Sequence, residues 1–272
     1  MIVYRCEDSL ESIFTAVYHA YEEKRNHADT RISIEEEYWL FAEYIQVEAE
    51  AEKAGKVIKT LQRRFGKADF EQICLALSAR DTQKAQAVYQ TIVRGLSGGC
   101  RPGHLLDNLA DKDVHTVFSL ARNAGNEAHH LKGFVRFAEL QNGVLFSKIA
   151  PKNNVLTFLM PHFSDRFPME NFMIYDVGRE LFGIHPAGQS WYLVQGSPGS
   201  VGRGVTRAEP MDEEELTGDW DISKREKEYQ ELFTFFCHKI AIKQRENKEL
   251  QRDLLPLRFQ EYMLEFGKKC RK

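Results

Sequence analysis

Residues 113–140 read "DVHTVFSLARNAGNEAHHLKGFVRFAEL", and this stretch separates two parts of the chain that differ in residue composition and hydrophobic pattern. Its apolar residues recur at helical spacing, which predicts one long helix over 113–140. Helical patterns dominate the sequence before it. After Gly143, short runs rich in β-branched and aromatic residues take over. The sequence therefore predicts an α+β protein with a helix-rich N-terminal half.

The N-terminal half begins with a predicted short strand, "MIVYRCE" at 1–7. A helix over about 10–24 follows, and Ser9 is its expected N-cap. "FAEYIQVE" at 41–48 has the composition of a second strand. Three apolar-striped segments between 51 and 97 then predict consecutive helices.

The second half is predicted to form an antiparallel β meander, interrupted by a short helix around "VLTFLMPHF" at 155–163. Four runs supply its strands: "GVLFSKIA", "NFMIYDVG", "ELFGIH" and "SWYLVQG". A flexible, locally acidic loop is expected at 196–221, and a helix at about 223–246 with a helical tail to the end completes the chain. We interpret residues 1–272 as a single domain, with the turn cluster "SGGCRPG" at 97–103 as the place where two lobes would divide.

Composition narrows the classes of function. The formal net charge of −3 argues against a uniformly basic surface, but residues 224–272 hold 13 Lys and Arg against 8 Asp and Glu, a local charge of +5. The five cysteines are an odd number without a CxxC pair, which favours free thiols over a disulfide framework or an iron–sulfur site. No signal peptide and no apolar run of ~20 residues is apparent, so a cytoplasmic protein without a membrane segment is expected.

The long helix carries a polar stripe. On a helical wheel, one side gathers Arg122, Asn126, His129, Gly133 and Arg136. The opposite side gathers Val117, Leu120, Ala124, Ala128, Leu131 and Val135, as a buried face would. Such a donor-rich stripe suits phosphate or carboxylate, and its glycine leaves room for a ligand. Packing of the stripe against acidic neighbours explains the same pattern.

Three further clusters have the same cationic character. His162 and Arg166 share a face if "PHFSDRF" is helical, and Asp176 with Arg179 lies near a strand end, where the two side chains would pair. The basic end contributes Arg245, Asn247, Gln251, Arg252 and Arg258, interleaved with Phe259 and Tyr262, a composition that suits a nucleic-acid backbone or a stacked base.

Established catalytic motifs are missing from the sequence. His129 and His130 are adjacent and point about 100° apart on a helix, so they do not share one metal ion, and no HExxH pair is present. No metal site is therefore expected. No GxSxG is present either. His129, His162 and Asp176 are the candidates for acid–base catalysis, although their spacing does not require it.

Four blocks together resemble a bacterial family of domains of unknown function that are labelled DNA repair or DNA metabolism proteins. The blocks, which stand in this order, are "MIVYRCEDSLESIFTAVYHAYE", "NEAHHLKGFVRFAELQNGVLFSKIAPKNNVL", "MPHFSDRFPMENFMIYDVGR" and "IAIKQRENKELQRDLLPLRF". In that family the domain is free-standing beside a radical SAM protein, or is fused ahead of a uracil-DNA-glycosylase-like domain. This chain resembles the free-standing form.

The resemblance implies a role in DNA repair or DNA modification. It also implies that the iron–sulfur cluster and S-adenosylmethionine belong to the radical SAM partner, so no intrinsic cofactor is expected. The shared pattern covers Glu127, His129, Gly133, Arg136, Phe137, Asn154, Pro161, His162, Phe163, Asp176, Arg179, Arg245, Asn247, Gln251 and Pro256. His130 departs from it, since arginine or lysine is common at that position.

Three functions remain open from the sequence. The first is a protein that binds DNA or a modified nucleotide and acts with the radical SAM enzyme. Its expected nucleic-acid contacts are Arg122, Asn126, His129, Arg136, Arg166, Arg179, Arg245, Asn247, Gln251 and Arg258. The second is a stand-alone hydrolase or glycosylase that acts on a flipped base. The third is a non-catalytic adaptor for the radical SAM protein, which the acidic stretch at 35–52 favours.

Overall fold

A computed structural model gives the fold of the protein. It describes residues 1–36, 38–196, 222–240, 247–260 and 262–266. The chain divides into two compact units. Unit 1 comprises Met1–Glu127 with Lys152–Val155, and unit 2 comprises Ala128–Pro151 with Leu156–Lys272. The division thus falls after Glu127, within a long helix, and not at the turn cluster of residues 97–103.

Unit 1 is built from a small parallel sheet and long helices. Its elements are β1 (Ile2–Arg5), α1 (Leu10–Glu22), β2 (Thr30–Ser33), β3 (Glu43–Gln46), α2 (Ala51–Ser78), α3 (Lys84–Ser97) and most of α4 (Lys112–Phe134). The strand order is β2-β1-β3, and β1 pairs in parallel with both neighbours. Because β1 is central, its Val3 and Tyr4 are fully buried.

The predicted N-cap of α1 is confirmed, and α2 is interrupted at a glycine. Ser9 is the N-cap of α1, and its hydroxyl accepts a hydrogen bond from the backbone N–H of Ser12 at 3.1 Å. The regular pattern of α2 breaks at Gly66, whose φ of 84° lies in the left-handed region that glycine adopts without strain. The strand β2 was not predicted, because "TRIS" is too short to show a period.

Unit 2 is built around a five-stranded sheet. Its elements are β4 (Ala138–Glu139), β5 (Leu145–Ile149), α5 (Leu156–Arg166), β6 (Phe172–Asp176), β7 (Leu181–His185), β8 (Tyr192–Gln195), α6 (Lys224–Ile240), α7 (Lys248–Leu254) and α8 (Leu257–Gln260). The strand order is β4-β5-β6-β7-β8. The α+β class and the mostly antiparallel sheet are confirmed. Strands β5 and β6 pair in parallel, because α5 crosses over between them.

Aromatic packing fixes the chain where α4 gives way to the sheet. The ring of Phe137 makes edge-on contacts with Phe163, Phe167 and Phe172 at centroid distances of 5.2, 5.7 and 5.6 Å. Helix α5 packs against β7, and Gly183 allows this close approach, since a methyl group there would overlap the side chain of Met160. The junction between α4 and β5 is therefore held by packing within unit 2.

The C-terminal region was expected to form a helix over 223–246 followed by a helical tail. Helix α6 begins at Lys224, one residue after the predicted start, and runs to Ile240. Residues 241–246 of the predicted helix lie outside the described residues, as do residues 197–221 of the predicted loop. Two further short helices, α7 and α8, follow. Within the described part of the chain, no helix has the length and apolar character needed to cross a membrane.

Candidate functional site

The polar stripe of α4 is exposed along its length. Arg122 and Asn126 in unit 1 and His129 and Gly133 in unit 2 are all exposed. The predicted opposite face is buried at Val117, Ala124, Ala128, Leu131 and Val135, whereas Leu120 is partly buried. A methyl group added at Gly133 would meet no atom within 4 Å, so the surface there is open.

Helix α4 ends at Phe134, six residues earlier than predicted. Arg136 therefore lies beyond the helix, and its place on the helical wheel does not apply. Its guanidinium Nη1 donates hydrogen bonds to the carbonyl oxygens of Gly133 at 2.8 Å and Val135 at 3.1 Å. These bonds satisfy carbonyl groups that the end of a helix leaves without intrahelical partners. The arginine is exposed, and only one of its guanidinium nitrogens makes these two bonds.

A basic cleft opens beside this helix end, within unit 2. Its walls are formed by the C-terminal part of α4, the end of β5 at Lys148 and the helix α8. It encloses about 320 Å³, including space open to solvent, and is lined by Leu131, Phe134, Val135, Arg136, Lys148, Ile149, Ala150, Arg258, Phe259 and Tyr262. Among the lining residues that the structure describes, three are cationic, three are aromatic and none is acidic.

Stacked rings form one wall of the basic cleft. The ring of Phe134 lies 5.4 Å from that of Phe259, and the imidazole of His130 contacts both at 5.8 and 5.9 Å. The guanidinium of Arg258 sits over the Phe259 ring, 4.6 Å from its centroid. His129 is next to this group, with its ring 6.3 Å from that of His130. The packing holds the cation of Arg258 at the cleft.

The two C-terminal aromatics differ in what they offer a ligand. Phe259 is only 6% exposed, so its ring supports Arg258 and Phe134 and is not an open stacking surface. Tyr262 is partly buried and lines the cleft. Phe134 is also partly buried. A planar base would therefore meet Phe134 or Tyr262 before Phe259.

Asp176 and Arg179 pair with each other, as one alternative from the sequence expected. The Asp176 carboxylate is fully buried, and it accepts hydrogen bonds from the Arg179 guanidinium at 2.9 Å and from the Gly178 N–H at 3.0 Å. Arg179 also donates to the carbonyl of Pro151 at 3.2 Å. Burial raises the pKa of Asp176, and the charge of Arg179 opposes that rise. The pair ties the loop after β6 to the chain after β5.

His162 and Arg166 lie on α5, and the predicted helix is confirmed. His162 is partly buried, and burial lowers its pKa, with the positive charges of Lys132 and Arg166 acting in the same direction. Arg166 is exposed above the ring of Phe167 at 5.7 Å. Among the described residues, no hydrogen bond links the acid–base candidates His129, His162 and Asp176.

The C-terminal residues that were predicted to contact nucleic acid lie in different places in the structure. Asn247 is the N-cap of α7, and its side-chain oxygen accepts a hydrogen bond from the Leu250 N–H at 3.0 Å. Gln251 is exposed on the same helix. Arg258 reaches the basic cleft, whereas Arg245 lies outside the described residues. The structure thus brings Arg136 and Arg258 together.

Lys148 is the cleft residue that the sequence did not single out. On β5, residues 146, 147 and 149 are buried, and Lys148 is the exposed position among them. The sequence feature that could have identified it is a lysine within an otherwise apolar strand.

Glu127, which belongs to the pattern shared with the family, is 2% exposed. Its carboxylate accepts hydrogen bonds from the N–H groups of Lys152 at 3.1 Å and Asn153 at 2.8 Å.

Metal ligands do not gather in the part of the molecule that is described. In those residues, no group of three His, Cys, Asp or Glu side chains is placed to hold a metal ion.

Comparison with known proteins assigns the chain to a family. Residues 82–265, which include the basic cleft and every predicted contact, match the family model of a domain of unknown function, DUF4130. The chain therefore belongs to the DUF4130 family. No curated protein and no solved structure matches it.

Proposed function

We propose that this protein is a cytosolic DNA repair or DNA modification factor that holds DNA, or a modified nucleotide, in the basic cleft and acts with a radical SAM partner. The observation that supports the binding role is the convergence of Arg136, Lys148 and Arg258 on one cleft with aromatic walls. The radical SAM partnership follows from the resemblance of the four sequence blocks. In this proposal the partner carries the iron–sulfur cluster and S-adenosylmethionine.

The charge and the aromatic character of the cleft both favour a phosphate-bearing ligand. The described lining residues include three cations, which attract phosphates, and the Arg258 and Arg136 guanidinium groups have donors in a planar fork. Aromatic residues beside cations are typical of surfaces that hold single strands or flipped bases, because a base stacks on a ring while its phosphate meets a cation.

Each cleft residue has a role in this proposal. Lys148 acts as a point charge on a phosphate, and Arg136 and Arg258 make directed hydrogen bonds. Phe134 and Tyr262 stack on the base. The exposed Asn126 and His129 on α4, with Asn247 and Gln251 on α7, are the remaining polar residues that we assign to DNA contacts.

A salt titration of binding to labelled single-stranded DNA tests the proposal. Three phosphate contacts predict that log K falls with log salt with a slope of about −2, and each of Arg136→Ala, Lys148→Ala and Arg258→Ala should reduce that slope by about 0.7. Lys227→Ala removes one positive charge from the exposed surface of α6 and serves as the control with an unchanged slope. Equal affinities for all four variants and the wild type would remove the cleft from the DNA-binding surface.

A further inference from the structure

Helix α6 carries an apolar stripe that faces solvent. Six large apolar side chains on it are 40–62% exposed, and five of them form the stripe: Tyr229, Leu232, Phe233, Phe236 and Ile240. At about 100° per residue these five positions lie within an arc of roughly 100°. They form one continuous stripe along the length of the helix.

The other side of α6 is polar and less exposed. Glu226, Gln230, Thr234 and Cys237 are partly buried. Gln230 donates to the Glu226 carboxylate at 2.7 Å, and the Thr234 hydroxyl donates to the Gln230 carbonyl at 2.8 Å. A surface helix ordinarily turns its apolar side inward, so α6 has the reverse orientation. Exposed stripes of this size mark interaction surfaces.

We propose that the apolar stripe of α6 pairs antiparallel with α6 of a second copy of this chain, about a two-fold axis near the middle of the helix. In that arrangement Tyr229 packs against Ile240 of the second copy, and Phe233 and Phe236 pack around the axis. Such a two-fold contact uses the same surface on both copies and closes after two. The inference is independent of the proposed DNA binding.

Charges beside the stripe select this orientation. Glu228 and Lys239 are both exposed and lie on the same flank of the stripe, near opposite ends of α6. Antiparallel pairing brings Glu228 to within about 3 Å along the axis of Lys239 on the second copy, and it does so twice, because of the symmetry. In a parallel pair the flank that carries Glu228 and Lys239 would lie on opposite sides of the interface in the two copies, so these charges would not meet. Charge complementarity therefore favours a second copy in the antiparallel sense.

The stripe is also large enough for a specific dimer. An aromatic or large aliphatic side chain has ~200 Å² of surface, so five side chains that are about half exposed offer about 500 Å² per copy. The pair would bury about 1,000 Å² in total, which is near the lower limit for a specific interface. The neighbouring Phe235, which is 59% exposed under the ammonium group of Lys239, adds to the contact.

Sedimentation velocity of the full chain, over a series from low to high micromolar concentration, tests the pairing. The wild type is expected to reach twice the 31.5 kDa of one chain. Phe236→Asp should remain monomeric, because it places a charge at the centre of the interface. Met169→Asp, which changes an even more exposed apolar residue in the loop after α5, should dimerise like the wild type. Circular dichroism of each variant establishes that the fold is kept.

Charge reversal distinguishes a second copy from any other occupant. Glu228→Lys and Lys239→Glu should each weaken the dimer by about tenfold, since two symmetric ion pairs become repulsive. The double variant should recover wild-type affinity, because the pairs are restored with their signs exchanged. A wild type that stays monomeric, a double variant that stays as weak as the single ones, or binding of the stripe to anionic phospholipid vesicles by a monomer would overturn the proposal.

Discussion

Arg136 shows how one residue changes its role between sequence and structure. The helical wheel placed it on the polar stripe of a helix that was predicted to reach residue 140. The helix ends at Phe134, and the guanidinium instead binds the last carbonyl groups and lines the basic cleft. A cation is favourable at this position, because the C-terminal end of a helix carries partial negative charge. The same arginine therefore serves the helix end and the candidate site.

Glu127 leads to a prediction about stability. Its buried carboxylate accepts the N–H groups of Lys152 and Asn153, so Glu127→Ala leaves two backbone donors without those partners. We expect a loss of about 3 kcal/mol in the free energy of unfolding, measured by urea denaturation. Glu127→Gln keeps one acceptor oxygen and should lose less.

The exposed Glu48 provides the matched control for this change. Glu48→Ala should alter the free energy of unfolding by less than about 0.5 kcal/mol. A Glu127→Ala protein as stable as Glu48→Ala would show that the carboxylate does not hold the 152–155 segment.

At the scale of elements, the contact between α5 and β7 depends on a glycine. Gly183→Ala would push a methyl group into the side chain of Met160, and we expect a loss of about 2 kcal/mol in the free energy of unfolding. Thermal denaturation followed by circular dichroism gives the measurement. In a Met160→Ala background the space is free, so Gly183→Ala should cost less there than in the wild type.

Gly55→Ala is the control, and we expect it to change the free energy of unfolding in the opposite direction. Gly55 lies in α2, where an added methyl group meets nothing within 4 Å. Gly55→Ala should stabilise the protein by up to about 1 kcal/mol, because alanine favours the helix. If Gly183→Ala behaved in the same way, α5 would not approach β7 as closely as described.

At the scale of the whole molecule, the free energy of unfolding should depend on pH through His162. The pKa of His162 is lowered from 6.5 by burial and by two neighbouring positive charges, so the folded protein favours the neutral imidazole. The unfolded chain binds a proton there as the pH falls below about 6.5. The contribution of His162 to stability is therefore complete above that pH and is lost as the pH falls toward the folded-state pKa.

Urea denaturation at a series of pH values between about 7.5 and 5 measures this effect. His162→Gln should lose less stability than the wild type over that interval, whereas His115→Gln, at an exposed position of α4, should follow the wild type. Identical slopes for the wild type and His162→Gln would contradict a lowered pKa for this histidine.

The sequence by itself determined the class of fold and most of the elements. Helical periods predicted α1 to α4, and runs of β-branched and aromatic residues predicted β5 to β8, because the hydrophobic period follows directly from backbone geometry. Strand β4 was not predicted, since Ala138–Glu139 lies in the stretch that was expected to be helical. The composition of the C-terminal end also identified Arg258 as a candidate, and the structure places it in the cleft.

Tertiary structure alone decided which of these residues meet. The end of α4 at Phe134 depends on the packing of Phe137 among three rings distant in sequence, which no local period encodes. Lys148 joins Arg136 and Arg258 only because β5 ends beside α4 and α8. The outward stripe of α6 appears only when the burial of its polar side is known, since periodicity alone would turn that stripe inward. Local sequence sets the period of an element, whereas long-range packing sets where the element ends and which face it buries.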